Sequence, residues 1–422
     1  MKEIRTRSSI DTKVSIPGSK SITHRALITS SLAKGESVLA AFLACEDTLH
    51  TVNALRELGV EITVNGENAR VLGIGGRFPS RGGGKEIFLG NSGTSYRLLL
   101  STVALARGEY ILKGTPRMHA RPVGDLVQAL RKLGVDASCI EKGDFPPVSV
   151  KAKGIRGGKV TIAGDKSSQY VSSLLLAGPY TKRGLEIEVT GRLVSQPYVE
   201  VTLEVMKIFG IPVSRDGYRY FKVSGGQRYH PCKFKVDGDV SAASYFWAAA
   251  AVTGGTIKTE NIHPHTTKQG DIALLDIMEE MGCRVEKRAE SVVVRGRALS
   301  GIDVDMGAMP DMVPTLAAIA LFAKGRTWIR NVSHLRLKES NRLRAITAEW
   351  ARLGGRVEER ADGLVIHGGR PISGTVVDSH DDHRIAMSLA VIGLRIPGIR
   401  IRSEGCVNKS FPGFWDLWYG LQ

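Results

Sequence analysis

The chain has 422 residues, 42% of them hydrophobic, and a formal charge of +16. That length exceeds one typical core and predicts two domains, and the hydrophobic share is enough to fold them. The positive balance suits anionic partners. The five cysteines, at 45, 139, 232, 283 and 406, form no C-x-x-C pair, which predicts a reduced cytoplasmic protein and excludes a structural zinc site.

The opening residues, MKEIRTRSSIDTKVSI, lack the apolar stretch of a secretory signal. From there one segment type recurs. A small-polar turn opens an apolar helix, a basic or glycine turn closes it, and a strand follows. The closing turns AKGESVL, ARGEYIL, TKRGLEIEV, TGGTIKT, AKGRTWI and IPGIRI carry Gly35, Gly108, Gly184, Gly254, Gly325 and Gly398. Their spacing of roughly 70 to 76 residues exceeds solenoid periods, so each copy is a supersecondary block. A second helix type ends at Gly59, Gly134, Gly210, Gly282 and Gly354, as in ALRELGV and WARLGGRV. EIEVTG (186–191) and SVVVRG (291–296) alternate as strands do. The apolar run TLAAIALFA (315–323) is too short to span a bilayer. Six copies form two groups of three that divide near FKVDGDVSAASYF (234–246).

The openings of the first-type helices hold a consistent set. In chain order they give Lys20, Ser21 and Arg25; Gly93, Thr94 and Arg97; Lys166, Ser167, Ser168 and Gln169; Asp239 and Ser241; Asp311; and Asp382, His383 and Arg384. Serine and aspartate are ordinary N-caps. Capping does not explain Lys20, Arg25, Arg97 or Arg384, because the positive end of a helix disfavours cations. Backbone N–H groups and cations together make an anion site. No G-x-G-x-x-G or Walker-type turn supports a nucleotide cofactor. Elsewhere, RPVGDL (121–126) sets Arg121 before a proline expected to start a helix. In HLRLKESNRLRA (334–345), Lys338 and Arg342 are four apart and expected on one helical face, with Glu339 beside Arg342. CVNKSFPGFW (406–415) puts Lys409 in a loop ahead of a final aromatic helix.

The series GSKSITHRAL, GNSGTSYR, RMHARPVGDL, DKSSQY, LVSQPY, PDMVP, LRLKESNRL, DDHRIAM and NKSFPGFW resembles, in order and over nearly the whole chain, the motifs of the 5-enolpyruvylshikimate-3-phosphate synthase family. The resemblance implies a two-domain inside-out α/β barrel, each domain three βαβαββ repeats with helix N-termini facing an interdomain cleft. The expected domains are 13–236, and 1–12 plus 237–422. It implies transfer of the enolpyruvyl group of phosphoenolpyruvate to the 5-hydroxyl of shikimate 3-phosphate, with release of phosphate. No metal or organic cofactor, nucleic acid or membrane is implied, and a cytoplasmic monomer is expected.

By the same resemblance, shikimate 3-phosphate falls to Lys20, Ser21, Arg25, Ser167, Ser168, Gln169, Ser195, Tyr198, Asp311 and Lys338. Phosphoenolpyruvate falls to Lys20, Gly93, Arg121, Gln169, Arg342, Arg384 and Lys409. Asp311 is the expected base at the acceptor hydroxyl and Glu339 the acid at the methylene carbon. Lys20 and Lys409 are expected to help protonate the departing phosphate. Two positions depart from the family's pattern: His334 replaces an asparagine, and Leu98 replaces a proline after Arg97. Gly93 leaves room in the phosphoenolpyruvate site, which implies inhibition by glyphosate. One alternative shares fold and donor, UDP-N-acetylglucosamine enolpyruvyl transferase. That family carries a reactive cysteine where this chain has Pro116. The charge alone would also suit a nucleic-acid binder, but the cations are dispersed and no zinc-finger or aromatic RNA-binding motif is present.

Overall fold

The computed structural model describes residues 1–79, 84–141 and 143–421. The chain divides into two compact units, an N-terminal one of Gly18–Val236 and a C-terminal one of Met1–Pro17 with Asp237–Gln422. The boundary expected at residue 13 falls inside the strand Asp11–Ser15. That strand pairs in parallel with Thr256–Glu260, which draws residues up to Pro17 into the C-terminal unit.

Six first-type helices start 70 to 75 residues apart: Lys20–Leu32, Gly93–Ala104, Ser168–Ala177, Val240–Thr253, Val313–Ala320 and His383–Gly393. Numbered with three outer helices used below, they are α1 (Lys20–Leu32), α2 (Glu46–Glu57), α3 (Gly93–Ala104), α4 (Ser168–Ala177), α5 (Pro197–Ile208), α6 (Val240–Thr253), α7 (Val313–Ala320), α8 (Arg342–Arg352) and α9 (His383–Gly393). Every residue of α6, α7 and α9 is buried, as expected of helices that are apolar all round and sit inside a core. Helix α1 is more polar, yet Thr29 and Ser31 return their hydroxyls to carbonyls of the preceding turn, at 2.9 and 2.7 Å. This lets them be buried without an unsatisfied group.

Each block forms a small mixed sheet; the first five share one four-stranded pairing order, and the sixth is a three-stranded sheet in which Val376–Asp378 runs parallel to Arg400–Arg402 and Lys2–Glu3 pairs antiparallel with it. In the second block, Gly84–Phe88 runs parallel to Arg107–Lys113. The latter pairs antiparallel with Val148–Lys153, which pairs antiparallel with Asp136–Cys139. The third block repeats this with Gly158–Ala163, Leu185–Thr190, Tyr220–Val223 and Ser214–Asp216. The first block borrows its leading strand, Lys233–Lys235, from the end of the unit. The fourth borrows Asp11–Ser15 from the start of the chain. All eleven turn glycines read from the repeat adopt positive φ, from 73° to 129°, where a side chain would be strained. No helix among the described residues is long and apolar enough to cross a membrane.

Candidate active site

In the N-terminal unit the burial pattern marks one end of the core helices. Within α1, α3 and α4 the only residues not buried are Ser21, Thr94 and Gln169, each the second residue of its helix. These are the ends where backbone N–H groups lack intrahelical partners.

Arg25 lies one turn inside α1 and is 1% exposed. Its Nε donates to Thr202 Oγ1 at 2.7 Å, Nη1 to the Ser21 carbonyl at 2.7 Å and Nη2 to the Tyr198 carbonyl at 3.0 Å. Among the described residues its partners are all neutral oxygens, and burial pulls its pKa down to about 10. Tyr198 itself sits at the start of α5, behind Ser195, whose φ of +53° turns the chain into that helix. Lys20, the first residue of α1, pairs with buried Asp47 of α2 at 3.0 Å. Gln169 bridges two openings, accepting from Arg97 Nη1 at 2.9 Å and donating to Thr94 Oγ1 at 3.0 Å. Its own N–H donates to Ser167 Oγ, the N-cap of α4, and Ser168 follows as the first helical residue.

Arg121 is buried and donates to the Asn91 carbonyl at 3.0 Å. A Cβ added to Gly93 would lie 2.5 Å from Arg121 Nη2, so the missing side chain is what lets the guanidinium lie over the start of α3. The helix expected at Pro122 begins two residues later, at Gly124.

In the C-terminal unit the openings of α6, α7 and α9 converge on one carboxylate. Asp311, in the 3-10 turn Pro310–Met312 ahead of α7, accepts from Arg342 Nη1 at 2.9 Å and Arg384 Nη2 at 2.7 Å. Lys338 Nζ stands 3.7 Å away. Burial alone would raise the Asp311 pKa, but Arg384, Lys338 and Arg342 outweigh it and hold the carboxyl well below its ordinary range. Arg342 also donates to Glu339 Oε2 at 2.8 Å and, through Nε, to Asp382 Oδ2 at 2.9 Å. Ser241, near the start of α6, lies 3.4 Å from Arg384 Nη2 and donates to buried Asp271, whose carboxyl burial pushes up to about 6.

Lys338 and Arg342 do not share a helical face. Ser333–Leu337 is a 3-10 turn, Lys338 is extended, and α8 begins only at Arg342, with Asn341 Oδ1 capping it by accepting from Arg344 N at 3.2 Å. Asparagine is a strong N-cap; it starts the helix four residues later than the charge pattern suggested. Both cations still reach Asp311, at 3.7 and 2.9 Å. His334, in the same turn, is buried, and its Nε2 has no hydrogen-bond partner among the described residues. Burial, with Lys338 nearby, lowers its pKa to about 4. Lys409 is the buried last residue of the 3-10 turn Glu404–Lys409, which packs on α9.

The structure thus gathers Asp311, Lys338, Glu339, Arg342 and Arg384 in one unit, and Ser21, Arg25 and Tyr198, with Gly93 against Arg121, in the other. Sequence reasoning missed Asp47, Thr202 and Asp271. Each is a single residue on another element, with no motif around it. Pro116, at the position of the alternative family's cysteine, starts the short helix Pro116–His119.

The sequence model described as EPSP synthase (3-phosphoshikimate 1-carboxyvinyltransferase) matches residues 4–418. A 3-phosphoshikimate 1-carboxyvinyltransferase of Shewanella sp. strain W3-18-1 is 40% identical over the full length of both chains. One of Vibrio atlanticus is 41% identical, covering 96% of this chain and 95% of the relative. The solved EPSP synthase of Acinetobacter baumannii superposes with a TM-score of 0.81 at 27% identity, over 99% of this chain and 97% of that one. The chain therefore belongs to the EPSP synthase family, and the UDP-N-acetylglucosamine alternative is not favoured.

Proposed function

We propose that this chain transfers the enolpyruvyl group of phosphoenolpyruvate to the 5-hydroxyl of shikimate 3-phosphate, releasing phosphate, as a cytoplasmic monomer. The observation that carries the reading, within this family, is Arg25: a buried guanidinium bonded, among the described residues, to neutral oxygens. A buried cation without a counter-charge is costly, and an anionic ligand relieves that cost. By this reading Lys20, Ser21, Arg25, Ser167, Ser168, Gln169, Ser195, Tyr198, Asp311 and Lys338 hold shikimate 3-phosphate. Gly93, Arg121, Gln169, Arg342, Arg384 and Lys409, with Lys20, hold phosphoenolpyruvate.

The chemistry needs a proton delivered to the methylene carbon of phosphoenolpyruvate, which opens C2 to attack. The acceptor hydroxyl forms the new C–O bond and gives up its proton. The bond to phosphate then breaks, and the methyl group loses a proton to restore the double bond. Asp311 serves as base at the hydroxyl and Glu339 exchanges the methylene proton, both as positioned general acid–base groups. Both carboxylates rest on the same guanidinium, Arg342. An incoming substrate anion competes for Arg342 and Arg384, so binding loosens their hold on Asp311 and raises its proton affinity when a base is needed. Lys20 and Lys409 oppose charge on the departing phosphate.

The test is phosphate release from phosphoenolpyruvate with shikimate 3-phosphate and UDP-N-acetylglucosamine offered in parallel. Release with the first alone is expected. Release with the nucleotide sugar alone would overturn the acceptor assignment.

A further inference from the structure

The opening of α9 is bent into an unusual shape. His380 and Asp381 are consecutive non-glycine residues with φ of +52° and +54°. Side chains rarely adopt this left-handed conformation, and it persists only where surrounding contacts impose it. The turn ends in Asp382, which caps α9 by accepting from Arg384 N at 3.0 Å and also grips Arg342. Ser340 Oγ adds a bond to the same carboxylate at 3.0 Å.

A second residue of α8 holds the other end of this turn. Glu349 is 1% exposed. One oxygen accepts from Asp378 N at 2.9 Å, and the other pairs with His380 Nε2 at 3.0 Å. The His380 N–H in turn donates to Asp378 Oδ1 at 2.7 Å. Glu349 and Arg342 are seven residues apart on one helix, two turns along the same face. The turn 378–382 is therefore fastened to α8 at two points, by Arg342 on Asp382 and by Glu349 on Asp378 and His380.

We infer that Glu349 and His380 are positioning residues that clamp the strained turn 378–382, fixing Asp382 against Arg342 and aiming Arg384 at the carboxylate of Asp311. Neither touches the reacting groups. Their effect passes through Asp382 to the two guanidiniums assigned to phosphoenolpyruvate, so the inference rests on that assignment. The groups facing His380 are Glu349 from α8, Asp378 from the preceding strand and Asp382 from the cap of α9. Arg352 stands 3.2 Å from Glu349. Cys406, beside Ser379 and Asp381, is a neutral thiol pushed up to about 12 by burial. The bond to Glu349 raises the His380 pKa above its ordinary 6.5, so the charged clamp is complete below that value and weakens as pH climbs through the raised one.

The test compares steady-state kinetics of the wild type, Glu349→Gln, His380→Asn and Arg342→Ala between pH 5.5 and 9, with thermal melting of each. Asparagine tolerates positive φ, so His380→Asn removes the ring and keeps the turn. Glu349→Gln is expected to raise the KM for phosphoenolpyruvate on the order of tenfold, with kcat and the KM for shikimate 3-phosphate nearly unchanged. His380→Asn is expected to raise it about threefold, since the pair is partly exposed, and to erase the alkaline rise expected of the wild type. If Glu349→Gln does not fold, His380→Asn decides. Wild-type KM values and superimposed pH profiles in the folded variants, beside a large loss in Arg342→Ala, would overturn the clamp alone. An unchanged KM in Arg342→Ala would overturn the site assignment and the clamp with it.

Discussion

Two buried arginines, one in each unit, are solved in opposite ways. Arg25 is surrounded by the hydroxyl of Thr202 and two carbonyls, and its pKa is pulled down to about 10. Arg342 is surrounded by Asp311, Glu339 and Asp382, and its pKa is driven up despite burial. Under the proposed function, the first takes its counter-charge from the substrate. The second carries its anions with it, and under the proposed function phosphoenolpyruvate competes with them. The first arrangement favours affinity. The second favours exchange of partners during a reaction, because no charge is left bare when one carboxylate lets go.

The largest expected effect tests the exchange. Asp311→Ala should lower turnover by roughly 10² to 10⁴-fold, the range for one acid–base group. Because Asp311 competes with substrate for Arg342 and Arg384, the affinity for phosphoenolpyruvate should hold or tighten. Rapid-quench turnover together with equilibrium titration would show whether the two part company. Unchanged turnover removes Asp311 from the mechanism.

The next two variants set the arginines against each other. Arg342→Met strips the guanidinium partner from buried Asp382 and should destabilise the fold by about 3–5 kcal/mol in urea melts. Arg25→Met orphans no carboxylate, so its stability should stay close to the parent's. Its affinity for shikimate 3-phosphate should nonetheless fall about ten- to a hundredfold by calorimetry. Equal destabilisation in the two variants would erase the difference between the two arginines.

The smallest effect concerns His334. Its folded pKa, near 4, lies below the ordinary 6.5, so the unfolded chain binds the proton first as pH falls. Stability is therefore full above about 6.5 and declines toward 4. His334→Asn should flatten that stretch of the pH–stability curve by on the order of 2 kcal/mol, read from urea melts at stepped pH. A curve that keeps its slope would place the acid sensitivity elsewhere.

The repeat was legible because its markers are local. A glycine closing a helix, a serine or aspartate opening one and alternation in a strand act within a few residues, and eleven glycines in register left little room for another fold. The cations of the site were legible for the same reason, as charges where helix starts disfavour them. Their partners were not. Asp47 meets Lys20, and Thr202 meets Arg25, across sequence separations of 27 and 177 residues. The reading of Lys338 and Arg342 as helical neighbours failed because a charge at four-residue spacing says nothing about whether the helix has begun. Asn341 decided that, and it was visible as a cap.

The borrowed strand Asp11–Ser15 bears on how the molecule is made. On the ribosome, Gly18–Val236 emerges as a complete unit and can close early, since domains fold as they appear. The seventeen residues ahead of it must wait, because Thr256–Glu260 and the strand that pairs with Lys2 and Glu3 are synthesised later. Until the head of the chain arrives, Thr256–Glu260 is an open edge, of the kind that recruits strands from other nascent chains. These early residues thus dock late, and they cover an edge of the unit they complete that would otherwise stand open.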